Sequence, residues 1–316
     1  MHLASQEKLG INGRPATRSG WDSLPAEYRI PERAPSLTEA LAYCERLART
    51  HYENFSVATW FLPRRLQPHF YSIYAYCRIS DDLSDEVGDP QLSLQLLDEW
   101  QGELDACYLG RARHPVFVAL AETIKACRIP KDPFANLLKA FRQDQTTTRY
   151  QSFEGLLGYC ENSANPVGRL VLYACGYSDA ERQELSDFTC TALQLANFWQ
   201  DVAVDYSKGR VYLPLNDLSR FGVPEQVIAS HRATPEFLRL MEFEVERARD
   251  WFERGLPLVT KVDRELAIDI ELFTRGGQAV LNAIEKQDFN VLHSRPAISK
   301  PCKLALVARA ALGKLL

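Results

Sequence analysis

The sequence predicts an all-α protein, and three observations support that prediction. Apolar residues recur at the three-to-four-residue spacing of amphipathic helices through most of the chain after residue 36. Turn-forming groups such as Gly88-Asp89-Pro90 and Ile129-Pro130 interrupt this pattern at intervals of helix length. No segment convincingly alternates apolar and polar residues as a half-buried strand would. We therefore expect one helical domain over residues 37–316.

Residues 1–36 differ from the rest of the chain. They contain four prolines and no sustained hydrophobic period, which predicts a loose N-terminal arm. The first helix should begin after Ser36, because a serine followed three residues later by Glu39 forms a capping box. Nine helical runs are then predicted, over residues 37–55, 68–85, 92–110, 115–129, 134–144, 153–175, 179–209, 234–255 and 265–286.

Composition and charge exclude several classes of protein. Hydrophobic residues make up 46% of the chain and charged residues 25%, as in globular proteins. A formal net charge of −4 argues against a general nucleic-acid-binding protein, which needs a basic surface. The eight cysteines form no C-x-x-C pair, which argues against a zinc ribbon or disulfide framework and fits a reducing compartment. With no signal-peptide pattern and no 18-residue apolar run, we expect a cytoplasmic location.

The C-terminal segment is distinct in charge. Its last 25 residues contain five Lys or Arg and no acidic residue, in a sequence that predicts an amphipathic helix. Such a helix either docks on the rest of the domain or lies on a membrane surface, which would make the protein peripheral at the membrane. The sequence leaves both alternatives open.

Two segments place polar side chains on one side of a helix. In CRISDDLSDE, Arg78, Asp81, Asp82 and Asp85 fall within about 100° of arc. We call these four residues the first stripe. In QLANFWQDVAVD, about 120 residues later, the second stripe of Gln194, Asn197, Asp201 and Asp205 falls within about 80°. Apolar flanking residues predict that both stripes lie in the interior of the bundle.

The pair of stripes suits one kind of chemistry. Buried carboxylates need cations, and Mg²⁺ is typically held by carboxylate oxygens, water and substrate phosphates. Facing carboxylates that hold Mg²⁺ would bind a diphosphate and stabilise it as a leaving group. Aromatic residues could shield the resulting carbocation from water, although most of them would serve equally as core packing; they are Phe55, Trp60, Phe61, Phe70, Tyr71, Tyr74, Phe198 and Trp199.

The first stripe has two simpler explanations, a solvated helix face and a calcium-binding loop. A run such as DDLSD, taken alone, is more often a solvated helix face than a metal site. An EF-hand loop is excluded, because Leu83 stands at the third position counted from Asp81, where a ligand is required. The second stripe, with its N-x-x-x-D-x-x-x-D spacing, is what favours the metal and diphosphate interpretation.

These motifs resemble the squalene/phytoene synthase family over residues 51–295. The matching segments include NFSVATWFLPRRLQPHFYSIYAYCRISDDLSDE, GLLGYCENSANPVGRL and LQLANFWQDVAVDYSKGRVYLP. The resemblance implies an isoprenoid-synthase-type helical bundle around a central apolar cavity, with Mg²⁺ and a long isoprenoid diphosphate as substrate. It implies catalytic roles for Asp81, Asp82, Asp85, Asn197, Asp201 and Asp205. The resemblance implies that all of these residues except Asp82 are metal ligands.

The resemblance also implies substrate contacts. Diphosphate contacts are expected at His51, Asn54, Tyr74, Arg78, Gln194, Arg210, Tyr212 and Arg295, the pair Arg210 and Tyr212 lying in a flap. Cavity-lining positions are Phe55, Tyr159, Ala164, Val167 and Gly168, with Asp144 as an acidic residue at the cavity.

Three positions depart from the pattern of relatives that condense two prenyl diphosphates. Gln200 stands where such relatives have an arginine, and Val204 where they have a glutamate. The expected loss of a cation and of a carboxylate suggests a site for one diphosphate. Gly277 replaces an aromatic hydroxyl found in some relatives, which predicts local open space.

The second stripe with SANPVGRL is most similar to bacterial hydroxysqualene synthases of the hopanoid pathway. These ionise presqualene diphosphate and capture the cation with water, so NADPH is not expected. The alternatives are a condensing synthase making presqualene diphosphate, squalene or phytoene, and a non-catalytic lipid-binding or assembly relative. Asp144 and Tyr159 are candidates for positioning the water.

Overall fold

The computed structural model describes residue 21, residues 24–50 and residues 63–315. Within these ranges the chain is helical, without a β-strand, and an isolated parallel bridge joins Arg149 and Val211. The all-α prediction is confirmed. The α-helices are α1 Leu37–Thr50, α2 Gln67–Asp85, α3 Pro90–Tyr108, α4 Pro115–Cys127, α5 Asp132–Asp144, α6 Phe153–Ser163, α7 Asn165–Ala174, α8 Ala180–Ser207, α9 Leu215–Phe221, α10 Glu225–Ala229, α11 Pro235–Gly255, α12 Arg264–Glu285 and α13 Lys300–Leu315.

Helix starts follow local side-chain chemistry. Ser36 and Glu39 form the predicted capping box, with the Ser36 N–H donating to the Glu39 carboxylate at 2.8 Å. Asp89 caps α3, because its carboxylate accepts from the backbone N–H groups of the first turn. The run predicted over 153–175 is divided at Ala164 into α6 and α7. The short helices α9 and α10 were not predicted.

Two hydrophobic clusters hold the helices together. The first packs α1 to α5 around large buried side chains such as Trp100 and Phe117. The second surrounds α8, which packs against α6, α7, α11 and α12 and buries Trp199. Burying such aromatic side chains removes large apolar areas from water and dominates core stability. The first stripe therefore lies on α2, a helix of the first cluster, and the second stripe lies on α8, a helix of the second cluster.

Part of the predicted N-terminal arm packs into the first cluster. Trp21, Leu24 and Tyr28 are buried, and the Trp21 indole N–H donates to Glu99 at 2.5 Å. The expectation of a loose arm does not hold for these residues, because their large apolar side chains are covered by the helices. The division into an arm and a domain over 37–316 otherwise remains a prediction.

The C-terminal helix α13 docks on α12. Arg309 lies 3.4 Å from Glu271, and Arg264 donates to the Gly313 carbonyl at 2.6 Å. Two of its apolar side chains remain open to solvent, with Leu304 70% and Leu312 59% exposed. None of the helices in the described parts of the chain combines the length and apolar character needed to cross a bilayer.

Candidate active site

The two stripes lie toward the C-terminal ends of α2 and α8. They are not in the interior of the bundle, as the sequence suggested: half of the Asp81 side chain is exposed, 23% of the Asp201 side chain, and Asn197 is exposed. The stripes occupy the last turns of their helices, beyond the most tightly packed layers, so their charges keep access to water. A charged ligand can therefore reach them from solvent.

Asp82 differs from its neighbours in the first stripe. Its carboxylate is buried, accepts from the Tyr28 hydroxyl at 2.6 Å and from the Arg78 Nε at 3.1 Å. A second Arg78 nitrogen also pairs with it. Asp82 thus holds the Arg78 guanidinium rather than offering free oxygens. The contribution of Tyr28 was missed, because this tyrosine lies in a proline-rich segment with no motif.

Arginines link the stripes. Arg78 also lies 3.8 Å from Asp81, so its guanidinium serves two carboxylates of its own helix. Arg210, which follows α8, donates to Asp85 at the end of α2 at 3.2 Å. This contact brings the two helix ends together. It also places a guanidinium where a departing diphosphate would need a counter-charge.

The second stripe receives its cation from a distant segment. Arg295 pairs with Asp201 through both Nε and Nη2, the latter 2.9 Å from Oδ2. Gln200 is buried and accepts from Arg295 at 3.1 Å. Residue 200 supplies no cation to this stripe, and the guanidinium beside Asp201 belongs to Arg295, one of the predicted diphosphate contacts.

Two carboxylates of the site, Asp81 and Asp205, have too little positive charge nearby to offset their burial and their acidic neighbours. Partial burial, and then the neighbouring Asp85, raise the pKa of Asp81 to about 6. Burial, and then Asp201, raise the pKa of Asp205 to about 7. A divalent cation bound beside these carboxylates would stabilise their ionised forms.

The oxygen donors of the stripes fit Mg²⁺. Among the described residues, no three His, Cys, Asp or Glu side chains converge on one metal position. Mg²⁺ does not need such a cage, because one or two carboxylates, water and substrate phosphates complete its coordination. The stripes therefore suit a metal that is bound together with a diphosphate.

Asp144 and Tyr159 lie beside the site. The Tyr159 hydroxyl donates to Asp144 Oδ2 at 3.1 Å, while the buried Oδ1 has no hydrogen-bond partner in the described structure. Burial raises the pKa of Asp144 to about 6, and the charges of Arg210 and Asp85 also act on it. A buried acceptor without a partner is rare in proteins and is a natural place for a polar ligand atom.

Aromatic rings cover this corner of the site. Tyr212 stacks on Phe198 with ring centroids 3.9 Å apart, and Tyr159 lies 6.0 Å from Tyr212. Such rings present apolar surface and the negative faces of their π systems, both of which tolerate a carbocation.

An apolar cavity lies between α2, α7, α8 and α12. Its volume is about 1010 Å³, counting the part that opens to solvent, and its walls are mostly apolar. From Leu193, which lines it, Asn197 is one turn away and Asp201 two turns, about 6 and 12 Å along the helix. Lining residues include Phe70, Val167, Gly168, Leu193, Ile270 and Phe273.

The remaining predicted positions have varied surroundings. Ala164 is buried where α6 meets α7, and Tyr74 and Gln194 are half-buried on α2 and α8. Gly277 does not leave open space: a Cβ there would lie 2.3 Å from the Phe252 ring, which fills the position. The predicted residues His51, Asn54, Phe55, Trp60 and Phe61 lie outside the described residues.

Comparisons with known proteins identify the family of this chain. A family model described as squalene/phytoene synthase matches residues 32–302. The crystal structure of squalene synthase HpnC from Alicyclobacillus acidocaldarius is similar with 44% identity and a TM-score of 0.77, covering 86% of this chain and 99% of that one.

Two further relatives are more distant. A 15-cis-phytoene synthase from Synechocystis sp. is 28% identical over 293 residues, covering 89% of this chain and 87% of the relative. A dehydrosqualene synthase solved with a ligand shares the fold, with a TM-score of 0.79 and 24% identity over 87% of this chain and 96% of that one. The chain therefore belongs to the squalene/phytoene synthase family, whose members act on isoprenoid diphosphates and generally depend on a divalent metal.

Proposed function

We propose that this protein converts presqualene diphosphate and water to hydroxysqualene and diphosphate. The observation that carries the proposal is the pair of carboxylate stripes, linked through Arg210, together with an apolar cavity whose lining residue Leu193 lies one turn of α8 from Asn197. The stripes suit a metal-bound diphosphate, and the cavity suits a hydrocarbon chain. A buried carboxylate with an unused oxygen beside the aromatic rings suits a reaction that ends with water.

The chain's own residues have defined roles in this proposal. Asp81, Asp85, Asn197, Asp201 and Asp205 would hold Mg²⁺, which supplies the positive charge that makes diphosphate a good leaving group. Arg78, Arg210 and Arg295 neutralise the anion as the carbon–oxygen bond breaks and its electron pair leaves with the diphosphate. Asp82 contributes by fixing Arg78. The other proposed substrate contacts are His51, Asn54, Phe55, Tyr74, Tyr159, Ala164, Val167, Gly168, Gln194 and Tyr212.

Water capture is assigned to Asp144 with Tyr159. A water oxygen bonds to the carbocation while one of its protons passes to Asp144, whose pKa of about 6 leaves it mostly ionised at neutral pH. Tyr159 donates to the other oxygen of this carboxylate and so orients it. The reaction needs no hydride, so NADPH has no part in the proposal.

A condensing synthase is the second candidate. Its support is that curated relatives of this chain are 15-cis-phytoene synthases and that the similar HpnC structure is described as a squalene synthase. Arg295 at Asp201 also gives the second stripe one cation, although residue 200 supplies no further one. A non-catalytic lipid-binding role is disfavoured by the presence of all five aspartates in the stripes.

Product analysis separates these candidates. Purified protein with Mg²⁺ and no NADPH would be given presqualene diphosphate or farnesyl diphosphate in separate reactions. Hydroxysqualene from the first, with the second untouched, is expected. Consumption of farnesyl diphosphate would instead establish a condensing enzyme. The variant Asp144→Asn tests the water-capture step. It should lower hydroxysqualene formation while leaving the binding of Mg²⁺ and inorganic pyrophosphate intact.

We also propose a cytoplasmic protein with peripheral membrane contact through α13. Helix α13 exposes Leu304 and Leu312, and the basic residues Lys300, Lys303 and Arg309 lie on the same helix without an acidic residue. Sedimentation with anionic phosphatidylglycerol vesicles should exceed that with phosphatidylcholine and fall in Leu304→Ser with Leu312→Ser. Leu109→Ser, at a similarly exposed position just after α3, should leave it unchanged.

A further inference from the structure

Gln200 makes two contacts that require both a donor and an acceptor on one side chain. It lies on α8 and is 7% exposed. Its Nε2 donates to the carbonyl oxygen of Pro296 at 2.6 Å, and its Oε1 accepts from Arg295 Nη2 at 3.1 Å. An amide carries both a donor and an acceptor, whereas a carboxylate lacks the donor and a guanidinium lacks the acceptor. The side chain therefore binds two neighbouring residues of a segment far away in sequence.

That segment depends on such contacts for its position. Arg295 and Pro296 lie between α12 and α13, in a stretch without regular helix. The Arg295 side chain is 54% exposed, so burial does little to restrain it. A long exposed side chain loses much rotational freedom when it is held in one place. Its two bonds to Asp201 and its bond to Gln200 supply that restraint.

We propose that Gln200 is a positioning residue, which fixes Arg295 beside Asp201 so that a cation from the C-terminal segment is already in place when the diphosphate binds. The bond to Pro296 holds the backbone, and the bond to Arg295 orients the guanidinium. The proposal rests on the proposed function only in placing Asp201 at the diphosphate site. Gln200 itself acts through Arg295 and does not touch the substrate.

Binding of inorganic pyrophosphate with Mg²⁺, measured by calorimetry, tests this role without turnover. Gln200→Leu keeps the volume but removes both bonds, and we expect about tenfold weaker binding, as for the loss of one bond to a charged group. Gln200→Glu keeps an acceptor for Arg295 but loses the donor to Pro296. Its affinity for pyrophosphate should lie between those of the unchanged protein and Gln200→Leu. In kinetics with presqualene diphosphate, KM should rise about tenfold in Gln200→Leu while kcat changes much less.

A double-mutant cycle distinguishes positioning from a general packing role. If Gln200 acts through Arg295, then Gln200→Leu with Arg295→Ala should bind pyrophosphate no more weakly than Arg295→Ala alone. Additive losses would overturn the proposal. Gln183→Leu is the matched control: this residue also donates from its side-chain amide to a carbonyl, about 25 Å away along the same helix. It should bind as the unchanged protein does.

The outcomes separate this inference from the proposed function. Unchanged binding in Gln200→Leu would overturn the positioning role, whatever the reaction. Consumption of farnesyl diphosphate, together with the expected cycle, would overturn the proposed reaction and leave the positioning role standing. Absence of Mg²⁺–pyrophosphate binding in the unchanged protein would overturn both.

Discussion

The first and second stripes differ in where their counter-charges come from. In the first, Arg78 neutralises Asp82 from one helical turn away, and Tyr28 completes the arrangement in the interior. In the second, Asp201 is neutralised by Arg295, 94 residues further along the chain and half exposed. The buried carboxylate of the first stripe is therefore neutralised within the core, whereas the second stripe is completed at the surface by a separate segment.

This difference predicts different costs of mutation. Removing the partner of a buried carboxylate leaves an uncompensated charge and destabilises the whole fold. Removing the partner of an exposed carboxylate costs little stability, because water takes its place. The first stripe should thus be sensitive in stability and activity, and the second mainly in ligand binding.

The largest effect is expected where the two stripes must act together. Asp81→Asn with Asp201→Asn should lower turnover of the isoprenoid diphosphate by about 1000-fold or more, because metal and diphosphate lose a ligand on each side. The melting temperature should be kept, since neither change empties the core. Asp98→Asn, an exposed carboxylate on α3, is the control. Retained turnover in the double variant would show that the stripes do not hold the metal.

Arg78→Ala and Arg295→Ala compare the stripes directly. The first leaves the buried Asp82 without its cation and should lower the free energy of unfolding by about 3 kcal/mol. The second removes a partly exposed pair and should lower it by about 1 kcal/mol or less. Denaturant unfolding of both variants measures the difference. Equal losses of unfolding free energy would contradict the proposed difference between the counter-charges of the two stripes.

Tyr28→Phe should have a smaller effect on the first stripe. It removes a hydrogen bond to a buried carboxylate, worth about 2 kcal/mol of unfolding free energy. Tyr43→Phe removes a bond of similar length, 2.9 Å, to the neutral Glu27 carbonyl, and should cost about 1 kcal/mol. The same unfolding experiment ranks the two, and a smaller loss in Tyr28→Phe would contradict the buried network.

The smallest effect concerns pH and the second stripe. The pKa of Asp205 is raised from 3.8 to about 7 in the folded protein, so this group lowers stability progressively between about pH 4 and pH 7 and by the full amount above pH 7. Metal-free Asp205→Asn should therefore melt higher than the unchanged protein at pH 8, by about 2 °C. At pH 6 that gain should be smaller, and near pH 4, where the unfolded chain also protonates this carboxyl, it should largely disappear. Comparing the two proteins at each pH cancels the contribution of the histidines, and a gain independent of pH would contradict the raised pKa.

Much of the fold was predictable from local patterns. Helical periodicity identified the long helices, and Ser36 with Glu39 located the start of α1, because both signals depend on near neighbours in sequence. The stripes were likewise visible, since helix geometry places residues four apart on one side. The short helices α9 and α10 were missed, because five to seven residues carry too little periodicity.

The sequence by itself determined the all-α fold, the family and the two sets of carboxylates, because each is encoded in short-range spacing or in long ordered motifs. Only the tertiary structure decided which charges meet. Tyr28 binds Asp82, and Gln200 brings Arg295 to Asp201, across 54 and 95 residues of chain respectively. Side-chain contacts fall off within a few ångströms, so partners that distant in sequence are chosen by how the helices pack.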